Sequence, residues 1–425
     1  MNRKDKSEGR SSGDADGESS GGVWKWRFWL VFAGQTLSLI GSSLTQFVLM
    51  WWITDTTGSI AALGVAGMAG LVPQAVLGPF AGVCADRYSR RMLMIVADVI
   101  SALCMGVLIV LFHIGKIELI YIYVLMSIRS AAAAFQQPAA MASVPMLVPA
   151  SFLATAVALN QALDGVLVIA GAPLGAFVMS LMPIDWALGI DVVTMLMGIF
   201  PLFFYSIPQK RPSEQSEGMW RQFREGVNTV WGDQALRRMF IVITLTVMVF
   251  MPLFTLIPML IKEHFQGGAD QVAYFESLAG AGMIAGSIFV SVLKPRSYMP
   301  WIIIGICLAG SMISMSAGLQ REMFWVSAVL WAIAAFGQVV GTALFMTLIQ
   351  TIVENDIQGR VLSILNTMMG VAAPLGIALA TPLGEVVGTR WLFVWLPVLG
   401  SMIMLSCFFS TSVMSLDARR FRKGK

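Results

Sequence analysis

Several ionisable residues lie inside long apolar runs of the sequence, and four of them could bind protons or pair with one another: Arg129, Asp164, Asp191 and Glu276. A charge in the middle of a membrane helix costs at least about 2.5–3.5 kcal/mol, so it needs a cavity or a partner. Arg129 and Asp164 each lie about ten to twelve positions from opposite ends of neighbouring runs, near mid-membrane at about 1.5 Å per residue. We therefore expect these two to pair, with Asp164 binding and releasing protons and Arg129 modulating it. A static ion pair that only holds two helices together is the alternative.

Asp191 and Glu276 lie nearer the ends of their runs, about one to two turns from the predicted outer surface. We expect one or both to support Asp164 in coupling and to line a substrate cavity. The alternative is that each carboxylate reaches out to the membrane surface. Four residues share a helix face with Glu276 and would suit a cavity wall: Ala279, Gly280, Met283 and Ser287.

Composition excludes most other classes of protein. Of the 425 residues, 57% are hydrophobic and only 12% are charged, and the mean hydropathy is +0.77. Soluble domains carry about 25% charged residues, so a soluble enzyme and a largely disordered chain are both excluded. Two histidines and four scattered cysteines are too few for a metal site or Ser-His-Asp chemistry, and no cofactor is expected. The net charge of +4 is too weak to indicate nucleic acid.

Apolar segments recur along the chain, each long enough to cross a hydrocarbon core of about 30 Å as a helix. Helix is the structure these runs must adopt, because lipid offers no partner for an unpaired backbone group. We predict an all-α integral membrane protein with twelve transmembrane helices in two six-helix halves. The predicted spans are 28–51, 60–82, 92–113, 119–141, 153–181, 186–206, 239–261, 271–293, 299–318, 323–348, 361–384 and 391–413.

The polar segments divide the chain into five regions. The prediction is a disordered cytoplasmic tail (1–22), a first half (23–207), a linker (208–238), a second half (239–414) and a basic cytoplasmic tail (415–425). In the linker, apolar residues recur at helical spacing, which predicts an amphipathic helix on the inner membrane surface; a solvated linker is the alternative. These residues are Met219, Trp220, Phe223, Val227, Val230 and Trp231.

The basic residues predict the orientation of the chain. Nearly all of the 28 Lys and Arg fall in segments that share one side if both termini lie there. The opposite loops keep only Lys116, Lys262, Arg321 and Arg390. By the positive-inside rule, we expect a multi-pass protein of the cell membrane with both termini in the cytoplasm.

The most specific motif lies between spans 2 and 3 and consists of Gly78, Gly82, Asp86, Arg87, Arg90 and Arg91. The glycines allow close helix contact, and the aspartate can cap a helix of the other half. The arginines can pair with carboxylates or lipid phosphates. Asp98, about two turns into span 3, is expected to support them. An ordinary positively charged inner loop is the alternative.

Span 5 carries Gly171, Pro173 and Gly175 at a spacing that predicts a kinked helix. Proline bends a helix, and glycine lets a neighbouring helix approach closely. The second half repeats the loop between its own spans 2 and 3 weakly, with Gly282 and Gly286 before Lys294 and Arg296, but without the Asp-Arg pair.

These motifs resemble those of the major facilitator superfamily. The loop from Gly78 to Arg91 resembles its signature loop, although Ser89 stands where the family often has Gly. Arg129 resembles its buried arginine, although alanines replace the Gln-Gly that usually follows, and the kink in span 5 resembles that of antiporter branches. Longer stretches resemble the macrolide-efflux branch of drug:proton antiporters over nearly all the chain after residue 24: 33–41, 57–59, 128–130, 135–138, 358–361 and 373–376.

The resemblance implies a secondary active transporter, not an enzyme, that exports a hydrophobic drug by proton antiport with alternating access. A macrolide-type antibiotic is the favoured substrate, and tetracycline or another small amphiphile remains an alternative. A proton-coupled importer and a non-transporting receptor also stay open, and a membrane-embedded enzyme is the least favoured. The expected partners are a small hydrophobic substrate, protons and membrane lipids, without nucleic acid, and the chain is expected to act as a monomer.

Overall fold

The computed structural model describes residues 23–204, 219–293 and 295–417. This part of the chain forms fifteen α-helices and a 3₁₀ turn at Arg321–Met323. The N-terminal bundle consists of α1 (Val23–Thr57), α2 (Ile60–Arg87), α3 (Arg90–His113), α4 (Leu119–Leu147), α5 (Ala150–Leu181) and α6 (Ile184–Phe204). A linker helix, α7 (Met219–Gly232), precedes the C-terminal bundle. That bundle consists of α8 (Gln234–Thr255), α9 (Ile257–Glu263), α10 (Ala269–Leu293), α11 (Met299–Gly318), α12 (Phe324–Ile352), α13 (Asn355–Val387) and α14 (Thr389–Leu405), with the short α15 (Thr411–Met414) after it.

The number of spans agrees with the prediction. Within the described residues, 11 helices are long and apolar enough to cross a membrane, and α14 is a shorter apolar helix of 17 residues. The seventh span is interrupted at Leu256, between Pro252 and Pro258, and therefore forms two helices, α8 and α9. The twelfth span ends at Leu405, before the predicted residue 413, because the chain then makes turn hydrogen bonds from Ser406 to Ser410.

Polar side chains set where several of these helices begin. The Ser59 hydroxyl accepts a hydrogen bond from the Ala62 amide at 3.2 Å and starts α2. Ser89 does the same for α3 through the Met92 amide. The Asp233 carboxylate accepts from two amides in the first turn of α8. Such caps satisfy backbone donors that have no partner within the helix.

The two bundles meet along two pairs of helices. The N-terminal bundle is held together mainly by α2 on α4, α1 on α6 and α3 on both α4 and α6. The C-terminal bundle is held by α12 on α10 and α11, by α14 on α11, and by α13 on α8. Between the bundles, α2 packs on α13 and α5 packs on α10. We call the end with the linker helix α7 the linker end, and the end with the α1–α2 turn the far end.

Contacts between the bundles close the far end. The Lys262 ammonium of α9 donates to the carbonyl oxygens of Thr54 and Asp55 and lies 3.2 Å from the Asp55 carboxylate. The Glu385 carboxylate of α13 accepts a hydrogen bond from the Ala61 amide, in the first turn of α2, at 2.8 Å. A Cβ added at Gly64 would lie 2.2 Å from the Thr381 hydroxyl, so α2 and α13 are in close contact here.

At the linker end, the same helix α2 is not packed in this way. A Cβ added at Gly78 or Gly82 would meet no described atom within 4 Å. The prediction that these glycines make close helix contacts is therefore wrong for this arrangement. Helix α2 touches α13 tightly near Gly64, whereas Gly78 and Gly82 near the linker end have no neighbouring helix within contact distance among the described residues. The two bundles therefore diverge from the far end toward the linker end.

The linker helix is present where the sequence predicts it. On α7, the side chain of Val230 is fully buried. Gly226 lies against the backbone carbonyl of Arg360 in α13, and Glu225 forms an ion pair with the Arg360 side chain. This helix therefore attaches to the first turns of α13.

Candidate functional site

The buried arginine of α4 pairs with the aspartate of α6. The Arg129 guanidinium lies 2.9 Å from the Asp191 carboxylate, whose side chain is fully buried. Ser42 of α1 donates to the other oxygen of Asp191 at 3.1 Å, and Arg129 also reaches this hydroxyl at 3.4 Å. A second guanidinium nitrogen lies 3.1 Å from the Met105 sulfur on α3. The ion pair thus connects α1, α3, α4 and α6.

The expected partner of Arg129 was Asp164, whose side chain lies outside the described part of the structure. The sequence contains one signal for the contact with Asp191, a similar depth in the membrane, which does not by itself favour Asp191 over Asp164. Helices α4 and α6 both start at the far end, and Arg129 and Asp191 lie at similar distances from those starts. The alternative in which Asp191 reaches the membrane surface is excluded by its complete burial. Proton coupling by Asp164 stays a prediction.

A second polar cluster lies within the same bundle. The Gln136 amide of α4 donates to one oxygen of Asp98 at 2.6 Å and lies 3.4 Å from the Gln35 amide oxygen. Gln35 in turn donates to the Gly198 carbonyl on α6. The other Asp98 oxygen is buried and has no hydrogen-bond partner among the described residues. The sequence showed both glutamines only as part of the stretches that carry the family resemblance, so their contact with Asp98 was missed.

Among the described side chains, Asp98 contacts Gln136 and neither Arg90 nor Arg91, so the predicted support of these two arginines is wrong. Arg90 donates to the carbonyl oxygens of Ala85 and Ala142. Arg91 donates to the Phe203 carbonyl at 2.9 Å. The two side chains thereby tie the loop to the ends of α4 and α6. The side chains of Asp86 and Arg87 lie outside the described part, and their expected roles stay predictions.

The glycines of α5 bring it close to α1. A Cβ added at Gly171 would lie 2.1 Å from the Ser43 hydroxyl, and one at Gly175 would lie 2.5 Å from the Phe47 ring. Pro173 lies between them within α5. The close helix contact predicted for this motif is confirmed, because a Cβ at either glycine would displace the Ser43 or Phe47 side chain of α1.

A cavity of about 530 Å³ lies between the C-terminal bundle and α5. Its wall is mostly apolar, and Glu276 is the one ionisable residue among the described residues that line it. The lining residues are Val168, Phe254, Ile257, Glu276, Ala279, Met283, Trp331, Ala335, Gln338, Val339, Thr342, Ala343 and Met346. The cavity face predicted for Glu276, Ala279 and Met283 is confirmed, whereas Gly280 and Ser287 are not among the described residues that line the cavity. The contribution of α12 was not predicted.

Comparison with protein families identifies the class of protein to which this architecture belongs. The model of the Major Facilitator Superfamily matches residues 31–377. The chain belongs to the Major Facilitator Superfamily. It is therefore a multi-pass membrane transporter and not an enzyme.

Several relatives of the chain are named as drug efflux pumps. Macrolide efflux protein A of Streptococcus pyogenes is 27% identical over 401 residues, which cover 93% of this chain and 98% of that protein. Multidrug efflux pump Tap of Mycolicibacterium fortuitum is 22% identical over 408 residues, covering 91% of this chain and 96% of the pump. These similarities extend over both bundles, and they associate the chain with drug efflux in general.

Solved structures of other superfamily transporters share the fold. A bacterial homologue of the human lysosomal transporter Spinster, in an inward-facing and unoccupied conformation, aligns with a TM-score of 0.68 at 14% identity. That alignment covers 95% of this chain and 98% of the homologue. A POT family transporter in complex with a thioalcohol-conjugated peptide aligns with a TM-score of 0.72 at 10% identity, covering 91% and 96%. At these identities the likeness concerns the fold alone.

Proposed function

We propose that the protein exports a hydrophobic drug, with a macrolide-type antibiotic as the favoured substrate, in exchange for protons. The observation that carries this proposal is the cavity beside Glu276, which lies where α5 of one bundle faces α10 of the other. Its lining is largely apolar, as a site for a hydrophobic ligand requires. Similarity to Macrolide efflux protein A over 93% of the chain supports the choice of substrate.

The geometry of the two bundles supports alternating access. They are joined at the far end by Lys262 and Glu385 and diverge toward the linker end. Rocking of one bundle against the other would open the far end and close the linker end. The distribution of Lys and Arg supports a cytoplasmic linker end and cytoplasmic termini, and in that orientation the structure is an inward-facing state.

Proton coupling is assigned to carboxylates of the N-terminal bundle. Asp164 is the leading candidate from the sequence, and Arg129 is its proposed modulator. The Arg129–Asp191 pair supports a related arrangement, in which the guanidinium is the partner of the Asp191 carboxylate in this conformation and leaves it in another. A buried carboxylate that exchanges partners between two conformations can take up a proton on one side and release it on the other.

Drug susceptibility tests the substrate. A host that lacks its own efflux pumps would express the chain and be challenged with a macrolide, a tetracycline and a phenicol. We expect the inhibitory concentration to rise for the macrolide, and the Arg129→Ala variant at equal abundance to lose the effect. Resistance to tetracycline alone would mean that the exported drug is a tetracycline and not a macrolide. An unchanged inhibitory concentration for all three drugs would contradict drug export.

Proteoliposomes test the energy source and the direction of transport. A proton gradient that drives protons toward the cytoplasmic side of the protein should drive a labelled macrolide the other way. The macrolide should therefore accumulate on the side that corresponds to the cell exterior. Collapse of this gradient with an ionophore should stop accumulation. Movement of the drug in the same direction as the protons would identify an importer and contradict antiport.

A further inference from the structure

The chain after α14 packs on the linker end of the C-terminal bundle. We call residues 406–417 the C-terminal segment. Two of its side chains, Cys407 and Leu416, are almost completely buried, and its short helix α15 contacts α8. The Ser412 hydroxyl also lies 3.4 Å from the Gln234 amide oxygen, at the start of α8. The segment therefore has a defined position on the bundle.

The C-terminal segment ends at the start of α11. The Asp417 carboxylate accepts hydrogen bonds from the Tyr298 and Met299 amides, each at 2.9 Å, and from the Ser297 hydroxyl. A carboxylate stabilises a helix N-terminus, because the first amides have no partner within the helix. The residues that follow Asp417 in the sequence therefore start from a fixed point at the linker end.

Two aromatic side chains of the C-terminal segment point away from the bundle. Phe408 is 62% exposed and Phe409 is 86% exposed, and their ring centroids lie 6.1 Å apart. They continue the exposed apolar face of α14, to which Met402 and Leu405 belong. Because this face of a membrane helix lies against lipid and α14 ends at Leu405, the two rings lie at the membrane boundary of the linker end. Exposed aromatic rings at this depth suit the apolar part of a lipid.

An exposed arginine of α8 lies beside these rings. The Arg238 guanidinium donates to the Ser410 hydroxyl at 3.1 Å, and within the described part of the chain it makes no other hydrogen bond and no ion pair. Its neighbour Arg237 donates to the Trp231 carbonyl of α7. The remaining N–H groups of Arg238 can therefore bind an anion, and the planar guanidinium suits a phosphate group in particular.

The sequence after Asp417 adds positive charge at the same end. It contains five basic residues and no acidic residue: Arg419, Arg420, Arg422, Lys423 and Lys425. Clusters of Lys and Arg that directly follow a transmembrane helix attract anionic lipid headgroups. The charge of this sequence and the charge of Arg238 therefore favour the same partner.

We propose that this surface binds an anionic phospholipid, with the phosphate at Arg238 and the acyl chains against Phe408 and Phe409. The basic residues after Asp417 add to the preference for a negatively charged headgroup. A soluble anion would use the guanidinium but not the two rings, whereas a phospholipid uses both. The inference concerns the membrane surface at the linker end and does not depend on drug export.

Native mass spectrometry of the purified full-length protein tests the preference for charge. The two probes are phosphatidylglycerol and phosphatidylcholine with the same acyl chains; both carry a phosphate, but choline compensates its charge. We expect the first molecule of phosphatidylglycerol to bind more tightly than phosphatidylcholine. Arg238→Gln should weaken phosphatidylglycerol binding about fivefold and phosphatidylcholine binding less. Arg238→Lys, which keeps the charge, should retain most of the affinity.

The apolar part of the surface is tested with the double variant Phe408→Ser/Phe409→Ser. It should weaken the binding of both lipids, because their acyl chains are identical. Arg321→Gln is the matched control, since Arg321 is an exposed arginine at the far end, and it should bind both lipids as the unmodified protein does. Thermal unfolding should show that every variant is folded.

Equal affinity of the unmodified protein for the two lipids would overturn the assignment. An unchanged affinity for phosphatidylglycerol in Arg238→Gln, or an equal loss in Arg321→Gln, would overturn it as well. Because the measurement uses no drug and no proton gradient, its failure is distinguishable from a failure of the proposed export function.

Discussion

The pair of Arg129 and Asp191 is held by contacts from four helices. The carboxylate is fully buried and receives hydrogen bonds from both Arg129 and Ser42. Burial of two charges is costly, and their attraction offsets that cost only when the remaining donors and acceptors are satisfied. Loss of one partner leaves the other charge buried and unpaired, whereas loss of both leaves no buried charge and therefore no such cost. The pair is therefore sensitive to single substitutions.

Asp191→Asn should lower the stability of the protein markedly. Removal of one partner of a buried ion pair costs about 3–5 kcal/mol. The double variant Arg129→Gln/Asp191→Asn should recover most of the loss, because no unpaired charge remains. The midpoint of thermal unfolding of the purified protein measures both effects. Glu322→Gln, which removes an exposed acid with no hydrogen bond or ion pair among the described residues, is the control and should change the midpoint little.

If the single and double variants unfold at the same temperature, the pair does not act as a coupled unit. In that case Asp191 contributes through Ser42 and packing alone.

Asp164→Asn should abolish drug-driven proton release from proteoliposomes and leave drug binding measurable. The amide imitates the protonated acid, so the side chain can no longer bind or release a proton. Proton release is followed with a pH-sensitive dye, and binding with a labelled drug. Normal proton release in this variant, combined with its loss in Glu276→Gln, would move coupling to the C-terminal bundle.

At the scale of single residues, the sequence predicts which charges are buried better than it predicts their partners. Hydropathy indicates that Arg129 lies within a span, because a charge interrupts an apolar run. The choice between Asp164 and Asp191 depends on which helices are neighbours, and contacts between non-consecutive helices leave little local signal. For the same reason, the contact between Gln136 and Asp98 has no signature in spacing.

At the scale of elements, each end of helix α2 has an acidic residue that can bind a helix N-terminus. Glu385 of α13 contacts the start of α2, and Asp86 lies at its end. Glu385 accepts a hydrogen bond from the Ala61 amide and contacts the Ser59 hydroxyl at 3.4 Å, at the far end. Asp86, at the opposite end of α2, is predicted to cap a helix of the C-terminal bundle. Carboxylates stabilise helix N-termini because the first amides have no partner within the helix. The two acids would then stabilise opposite conformations of the transporter.

Glu385→Gln should shift the protein toward the state with an open far end. A charged cap contributes about 1 kcal/mol, which corresponds to a change of about fivefold in the ratio of the two states. Spin labels on cysteines placed at Lys116 and Gln320, both exposed at the far end, would report the opening as a longer distance population. Glu118→Gln is the control, because Glu118 is an exposed acid without a cap hydrogen bond at this end. An unchanged distance distribution in Glu385→Gln would contradict the capping role.

Two glycines of α13 should respond in opposite ways to the same substitution. A Cβ at Gly376 would lie 1.9 Å from the Met248 carbonyl oxygen of α8, whereas one at Gly370 would meet no described atom within 4 Å. Alanine is favoured over glycine by about 1 kcal/mol inside a helix, and this gain is common to both sites. Gly370→Ala should therefore keep or raise the midpoint of thermal unfolding, and Gly376→Ala should lower it. Equal midpoints would mean that α13 and α8 can separate at little cost.

Helix number and helix ends differ in how well the sequence predicts them. Apolar length predicts the twelve spans, because lipid imposes the same requirement on every one of them. The break at Leu256 and the end of α14 at Leu405 depend on proline placement and turn hydrogen bonds within continuous apolar sequence. Hydropathy does not detect either feature.

At the scale of the whole molecule, the distribution of charge and the contacts between the bundles together determine to which side of the membrane the cavity opens. The far end is closed by an ammonium and a carboxylate, while the linker end carries α7 and the arginines of the loop after α2. Nearly all basic residues of the sequence lie toward the linker end or in the tails. If that end is cytoplasmic, the closed far end faces outward, and the cavity beside Glu276 is loaded from the cytoplasm.

Labelling of cysteines in intact cells should establish this orientation. Cysteines at Lys116, in the turn between α3 and α4, and at Ser151, at the start of α5, would be introduced separately, because both positions are exposed. The four native cysteines would first be replaced by alanine. A membrane-impermeant maleimide should label position 116 in intact cells and position 151 only after permeabilisation, since the positive-inside rule places Ser151 in the cytoplasm. The reverse pattern would make the same structure outward-facing and would invert the direction of transport proposed from it.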